Sequence, residues 1–171
     1  MHYYAKLAKT VSEHYVKSHQ LPLLPLHMPT DLRRQRACFV QIFENPGRRL
    51  RAVAGSPLPQ RGMLAEEIMS HVITALSSAT TRAVRRAELP ALVYSIAVLD
   101  PLQRISHQDQ LEPSAFGLYL NSDQGKSALL LPRRPGIETP QDQIATALRE
   151  SGINHRQEAV AMYRFAVTYY E

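Results

Sequence analysis

Two short apolar runs, ACFVQIF at 37–43 and LRAVAG at 50–55, flank the stretch ENPGRR, and no other part of the chain constrains its fold as tightly. Pro46 and Gly47 suit the two central positions of a type II turn, so the three pieces read as an antiparallel β-hairpin. Its second strand is unusual. Arg51 sits inside it, and residues 52–56 then lose nearly all side-chain bulk. Small residues let a backbone or a ligand approach closely, whereas a buried arginine requires a partner. Arg51 therefore has two readings at this point: the wall of a site, or one half of a salt bridge that holds the hairpin.

The remaining segments mix helix and strand without regular alternation. Tyr4, Leu7, Ala8, Val11 and Tyr15 share one face of an opening helix. LPLLPLHMP at 21–29 carries three prolines, cannot hold a helix, and is expected to run extended with its leucines packed downward. Residues 62–78 form an amphipathic helix with Leu64, Ile68, Met69, Val72, Ile73 and Leu76 inward; Glu66, Glu67, Ser70, His71 and Thr74 are expected opposite. ALVYSIAVL at 91–99 is a strand, and residues 116–120 and 127–132 suggest a second hairpin. Thr139 as N-cap, Pro140 as first helical residue, Asp142 in the first turn and Gly152 as terminator delimit a further helix. YRFAVTYY at 163–170 reads as one closing strand, with Tyr163, Phe165, Val167 and Tyr169 on one face. The pattern fits an α+β fold better than a doubly wound sheet. We expect a mixed, largely antiparallel sheet with flanking helices, and 171 residues suit a single domain, 1–171.

Several chemistries find no support. There is no GxSxG, SxxK, GxxxxGK, GxGxxG or HExxH. The seven histidines lack metal-ligand spacing, and one cysteine cannot build a thiolate site, so no metal and no cofactor is expected. Glu67 and His71, at i and i+4, read as a solvated contact and not as a catalytic dyad. The net charge is +5, and arginine outnumbers lysine four to one, which suits an anionic partner. The basic pairs at 33–34, 48–49, 85–86 and 133–134 are scattered, and this argues against a nucleic-acid surface. No run approaches the ~18 apolar residues of a membrane helix. The opening segment lacks a signal-peptide core, so a cytoplasmic location without a membrane partner is expected.

The order of these segments resembles the AMMECR-type domain, called protein A in AmmeMemoRadiSam systems. The family signature is a strand–turn–strand ending in Leu-Arg-Gly-Cys-Ile-Gly; here the stretch reads Leu50, Arg51, Ala52, Val53, Ala54, Gly55. KLAKTV, LAEEIMSHVITAL, ELPALVYSIAVLDPLQRI, FGLYL with ALLLP, and YRFAVTYYE are similar to later or earlier family segments in the right order. The departures concentrate at the site the resemblance implies: in the signature Gly-Cys has become Ala52-Val53, after the long helix Asp-x-Arg-Phe has become Thr80-Thr81-Arg82-Ala83, and after the late helix Lys-Ala-Gly has become Glu150-Ser151-Gly152. The resemblance implies an α+β fold with a larger and a smaller lobe and the signature near a cleft. It also implies association with a Memo-like protein of dioxygenase fold and a radical-SAM protein.

With the signature thiol replaced by Val53, the reading is a non-catalytic binding or scaffolding module. Its cleft would lie near residues 50–55, and Arg51 and Arg82 would be its anion contacts. An enzyme working through other cleft residues and a nucleic-acid-binding protein are the alternatives. The oligomeric state is open. Cys38 reads as a small buried hydrophobe in its strand; the alternative is that it replaces the missing thiol, since, if residues whose numbers sum to 93 face each other, Cys38 opposes Gly55 and projects to the same side as Val53. A one-residue change of register would reverse this and leave Cys38 as core.

Overall fold

A computed structural model describes residues 1–78 and 82–171 of the chain. The α+β expectation is met, with the strands divided between two four-stranded sheets. The chain separates into a larger unit, Met1–Val98 with Thr168–Glu171, and a smaller one, Leu99–Val167.

The larger unit is built from α1 (Tyr3–Ser18), β1 (Cys38–Glu44), β2 (Arg49–Gly55), α2 (Leu64–Ser77), β3 (Leu92–Leu99) and the last strand. Helix α1 starts where the His2 ring accepts the Tyr4 N–H, and ends where His19 turns left-handed at φ 57°. Tyr4, Leu7, Ala8 and Val11 are buried, as the helical spacing indicates. They meet the inward face of α2 (Leu64, Ile68, Val72, Leu76) and the β1 residues Cys38, Val40 and Ile42 in one core. Only Leu24 and Met28 of the proline-rich segment pack against that core. The expectation that its leucines pack downward fails for Leu21, Leu23 and Leu26, the last two being 94% and 88% exposed. Half-buried 22, 25 and 28 alternate with exposed 23, 26 and 29, a three-residue period that suits an extended proline-rich chain.

The smaller unit holds β4 (Gln103–Ile105), β5 (Gly117–Ser122), β6 (Ser127–Leu130), α3 (Pro140–Ser151) and β7 (Val160–Phe165). Its sheet runs β4-β7-β5-β6, and each neighbouring pair is antiparallel. The ends of α3 follow from local chemistry. Thr139 Oγ1 accepts the Asp142 N–H at 3.1 Å, the Asp142 carboxylate accepts the Thr139 N–H at 3.2 Å, and Gly152 turns at φ 65°. Ala147 of α3 joins Leu118, Leu120, Leu130 and Ile153 in a second core.

The single closing strand expected at 163–170 is in fact two. β7 stops at Phe165 and β8 (Val167–Tyr170) joins the other sheet, beside β3 in the order β2-β1-β3-β8. Between them the Ala166 carbonyl leaves both ladders and accepts the Asp100 N–H at 3.0 Å. No described helix is long and apolar enough to cross a membrane.

Candidate functional site

The β1–β2 hairpin carries the signature residues. Its centre lies where Pro46 and Gly47 place it, but residues 45–48 form a four-residue loop with a cis Asn45–Pro46 bond. Gly47 and Arg48 both take positive φ, at 99° and 50°. Nearest the loop, Glu44 faces Arg49 and Phe43 faces Leu50, in the expected register. Beyond them Ile42 faces Ala52, Gln41 faces Val53, Val40 faces Ala54 and Phe39 faces Gly55. Arg51 is the extra residue of a β-bulge, and it moves the register by one.

That bulge overturns the placement of Cys38 beside Val53. Cys38, Val40 and Ile42 share the core face with Ala52 and Ala54, while Val53 projects to the other side with Phe39 and Gln41. Val53 is 44% exposed, and Cys38 has no exposed surface. Burial, followed by the Glu67 carboxylate, pushes the Cys38 thiol far above the range in which a thiolate forms near neutrality. Gly55 has a steric role: a Cβ there would come within 2.3 Å of the Phe39 ring.

Arg51 needs a partner because its side chain is only 9% exposed. It finds one across a sequence separation of 37: Nε donates to Glu88 Oε1 at 3.0 Å. Nη2 donates to the Arg82 carbonyl at 2.6 Å, and Glu44 Oε1 lies 3.6 Å from Nε. Arg82 reaches the same Glu88 oxygen at 3.1 Å, and the Arg85 N–H donates to the other at 2.7 Å. Burial pushes the Glu88 carboxyl up, but the Arg85 N–H and the Arg51 and Arg82 guanidiniums outweigh it and hold the group below its ordinary value. Arg51 and Arg82 do come together, and the anion they share is the protein's own Glu88. Thr80 and Thr81 lie outside the described residues. Leu50 is half exposed at the edge of the bulge.

The expectation that Glu67 and His71 lie on the polar face of α2 is wrong. Both are buried, with Glu67 only 1% exposed. Glu67 Oε2 accepts the backbone N–H of Gln60 at 3.0 Å and of Arg61 at 2.8 Å, and Oε1 lies 2.9 Å from His71 Nε2. Burial lowers the His71 imidazole against the opposing pull of Glu67. A neutral ring donating from Nε2 satisfies this geometry. The pair thus clamps the loop before α2 onto the helix. A proline-flanked loop (Pro57, Pro59) ahead of an i, i+4 Glu–His pair was the available sequence signal. Among the described residues no group of three or more His, Cys, Asp or Glu is placed to hold a metal ion.

Three comparisons bear on this arrangement. The family model described as AMMECR1 matches residues 5–170. A protein of Thermotoga maritima is 30% identical over 172 residues, covering 99% of this chain and 98% of its own length. Protein CA_C1420 of Clostridium acetobutylicum is 26% identical over 168 residues, which span 96% of this chain and 35% of that protein. The crystal structure of uncharacterized protein PH0010 from Pyrococcus horikoshii superposes with a TM-score of 0.88 over 98% of this chain and 88% of that one. At 22% identity, this last likeness bears on the fold alone.

Proposed function

Because the chain belongs to the AMMECR1 family, we propose that it acts as a non-catalytic binding module that offers the outward face of its signature hairpin to a protein partner. One observation carries this reading. The side of the hairpin away from the core bears Phe39, Gln41, Phe43, Leu50 and Val53, with no acid, base or thiol among them. The groups that could have done chemistry are committed elsewhere: Arg51 and Arg82 to Glu88, and Cys38 to the core. An apolar face with half-exposed Leu50 and Val53 suits burial against another protein better than capture of a small anion. The partners we propose are a Memo-like protein and a radical-SAM protein, as the family resemblance implies.

The test is affinity capture from the native host with the wild-type chain and with Leu50→Asp and Val53→Asp. Both positions are exposed enough to accept a carboxylate without unfolding the hairpin. The wild type should retain a Memo-like or radical-SAM protein, and each variant should lose it. Recovery of neither protein, or equal recovery with the variants, contradicts the reading. So does turnover by the purified chain that depends on residues 50–55.

A further inference from the structure

We propose that the outer face of the smaller unit's sheet binds a small planar aromatic anion of the nucleoside monophosphate class. The proposal concerns residues outside the β1–β2 hairpin and does not rest on the function assigned to it. Side chains alternate along a strand, so each sheet has two faces. One face here carries Ile105, Leu118, Leu120, Leu130 and Met162, which pack with α3 residues Ile144, Ala147 and Leu148. The other face is read from the register. Leu129 lies opposite Tyr119, Tyr119 opposite Tyr163, and Tyr163 opposite Arg104. Directly opposed residues share a face, so one side chain from each strand forms a single row across the sheet, in the order β6-β5-β7-β4.

The chemistry of that row is specific. The Tyr119 and Tyr163 rings are half-buried, 6.0 Å apart between centroids and inclined by 38°. They are adjacent but not stacked flat, so a planar ring can lie against them as a base lies on an aromatic sheet surface. Arg104 stands exposed at the end of the row and, among the described residues, has no hydrogen-bond or ion-pair partner. Within the same unit, Arg134 is engaged with Glu150 and Arg164 with Gln103. Arg104 is one strand spacing from Tyr163, roughly 5 Å, close enough to hold the phosphate of a ligand whose ring rests on the tyrosines. The next row on this face pairs exposed Asn121 with Ser127 and with small Ala161, placing a carboxamide and a hydroxyl beside the ring position.

Charge separates a single nucleotide from a nucleic-acid strand. Arg104 is the one cation in the row, and Lys126, at the end of β5–β6, is held by Glu158 at 2.6 Å. A strand would need a run of cations along its phosphates, whereas one guanidinium matches one phosphate.

The experiment is calorimetric titration of the full chain with AMP, adenosine, ribose 5-phosphate and single-stranded oligoadenylate. AMP should bind, with adenosine and ribose 5-phosphate each weaker. Arg104→Ala should weaken AMP about tenfold and leave adenosine unchanged. Tyr119→Leu and Tyr163→Leu should weaken AMP and adenosine alike, each by about tenfold. Arg104 is exposed, so its variant keeps the test decisive even if a tyrosine variant loses stability. Three results would overturn the proposal: no AMP binding at millimolar concentration by folded protein, AMP binding that ignores all three substitutions, or oligoadenylate binding far tighter than AMP with a steep salt dependence.

Discussion

Replacing Glu67 with alanine removes the acceptor shared by three donors: the Gln60 N–H, the Arg61 N–H and His71 Nε2. A hydrogen bond to a carboxylate contributes about 1.5–3 kcal/mol, which gives an upper bound of roughly 4.5–9 kcal/mol for three. The two loop N–H groups regain water once the loop lifts, and His71 can adopt its other tautomer. The expected loss is therefore about 3–5 kcal/mol, at or below the lower end of that bound. This is a large share of the ~5–15 kcal/mol that holds a domain folded. For a chain of this size it lowers the melting temperature by roughly 6–20 °C. Glu67→Gln keeps one acceptor oxygen but turns an NH₂ toward a donor, and should cost about half as much. Glu66→Ala, one residue earlier and half-exposed, should change stability by about 0.5 kcal/mol or less. Urea unfolding followed by circular dichroism measures all three, and limited proteolysis should cut at residues 56–62 in Glu67→Ala first. A cost below about 1 kcal/mol, or one equal to that of Glu66→Ala, would refute the clamp.

Three further outcomes follow from the same geometry. Burial holds the folded His71 imidazole below its ordinary 6.5, so the stability this provides is complete above pH 6.5 and drains as pH falls through the folded value. Melting curves between pH 7.5 and 5 should show that slope in the wild type and a shallower one in His71→Gln, and an unchanged slope would place the titration elsewhere. Cys38 should react with a thiol reagent at neutral pH only at the rate of unfolding, and fast labelling of the native chain would show that the bulge does not turn it into the core. Gly55→Ala should destabilise by about 1–3 kcal/mol, because the added Cβ would meet both the Phe39 ring and the Cys38 carbonyl oxygen, and a neutral result in urea unfolding would contradict that crowding.

What could be read from the sequence was whatever depends on near neighbours. Thr139, Pro140 and Asp142 start α3 by contacts within four residues, and the centre of the first hairpin follows from Pro46-Gly47. The face that α1 buries follows from helical spacing alone. Misreadings arose where a distant partner decides. The bulge is aimed by Glu88, 37 residues from Arg51, and periodicity within a strand contains nothing of that partner. Glu67 and His71 look solvated on a helical wheel, because the wheel does not show a loop whose N–H groups need an acceptor. The break at Ala166 is set by its bond to Asp100, and the alternation of Tyr163, Phe165, Val167 and Tyr169 passes through it unmarked. In the candidate stretch 50–55, which residues face solvent depends on one inserted position that the sequence pattern does not reveal.

A double-mutant cycle on Arg51 and Glu88 tests most directly whether the signature arginine serves the protein's own fold and leaves the hairpin as a binding face. Arg51→Met, Glu88→Gln and the double variant would be unfolded in urea, with and without phosphate. Commitment of Arg51 to Glu88 predicts a coupling above about 1 kcal/mol, as expected for residues sharing a polar network, and no stabilisation of the wild type by phosphate. Near-zero coupling, together with phosphate stabilisation that disappears in Arg51→Met, would show that Arg51 is free to take a ligand and would contradict the proposed function.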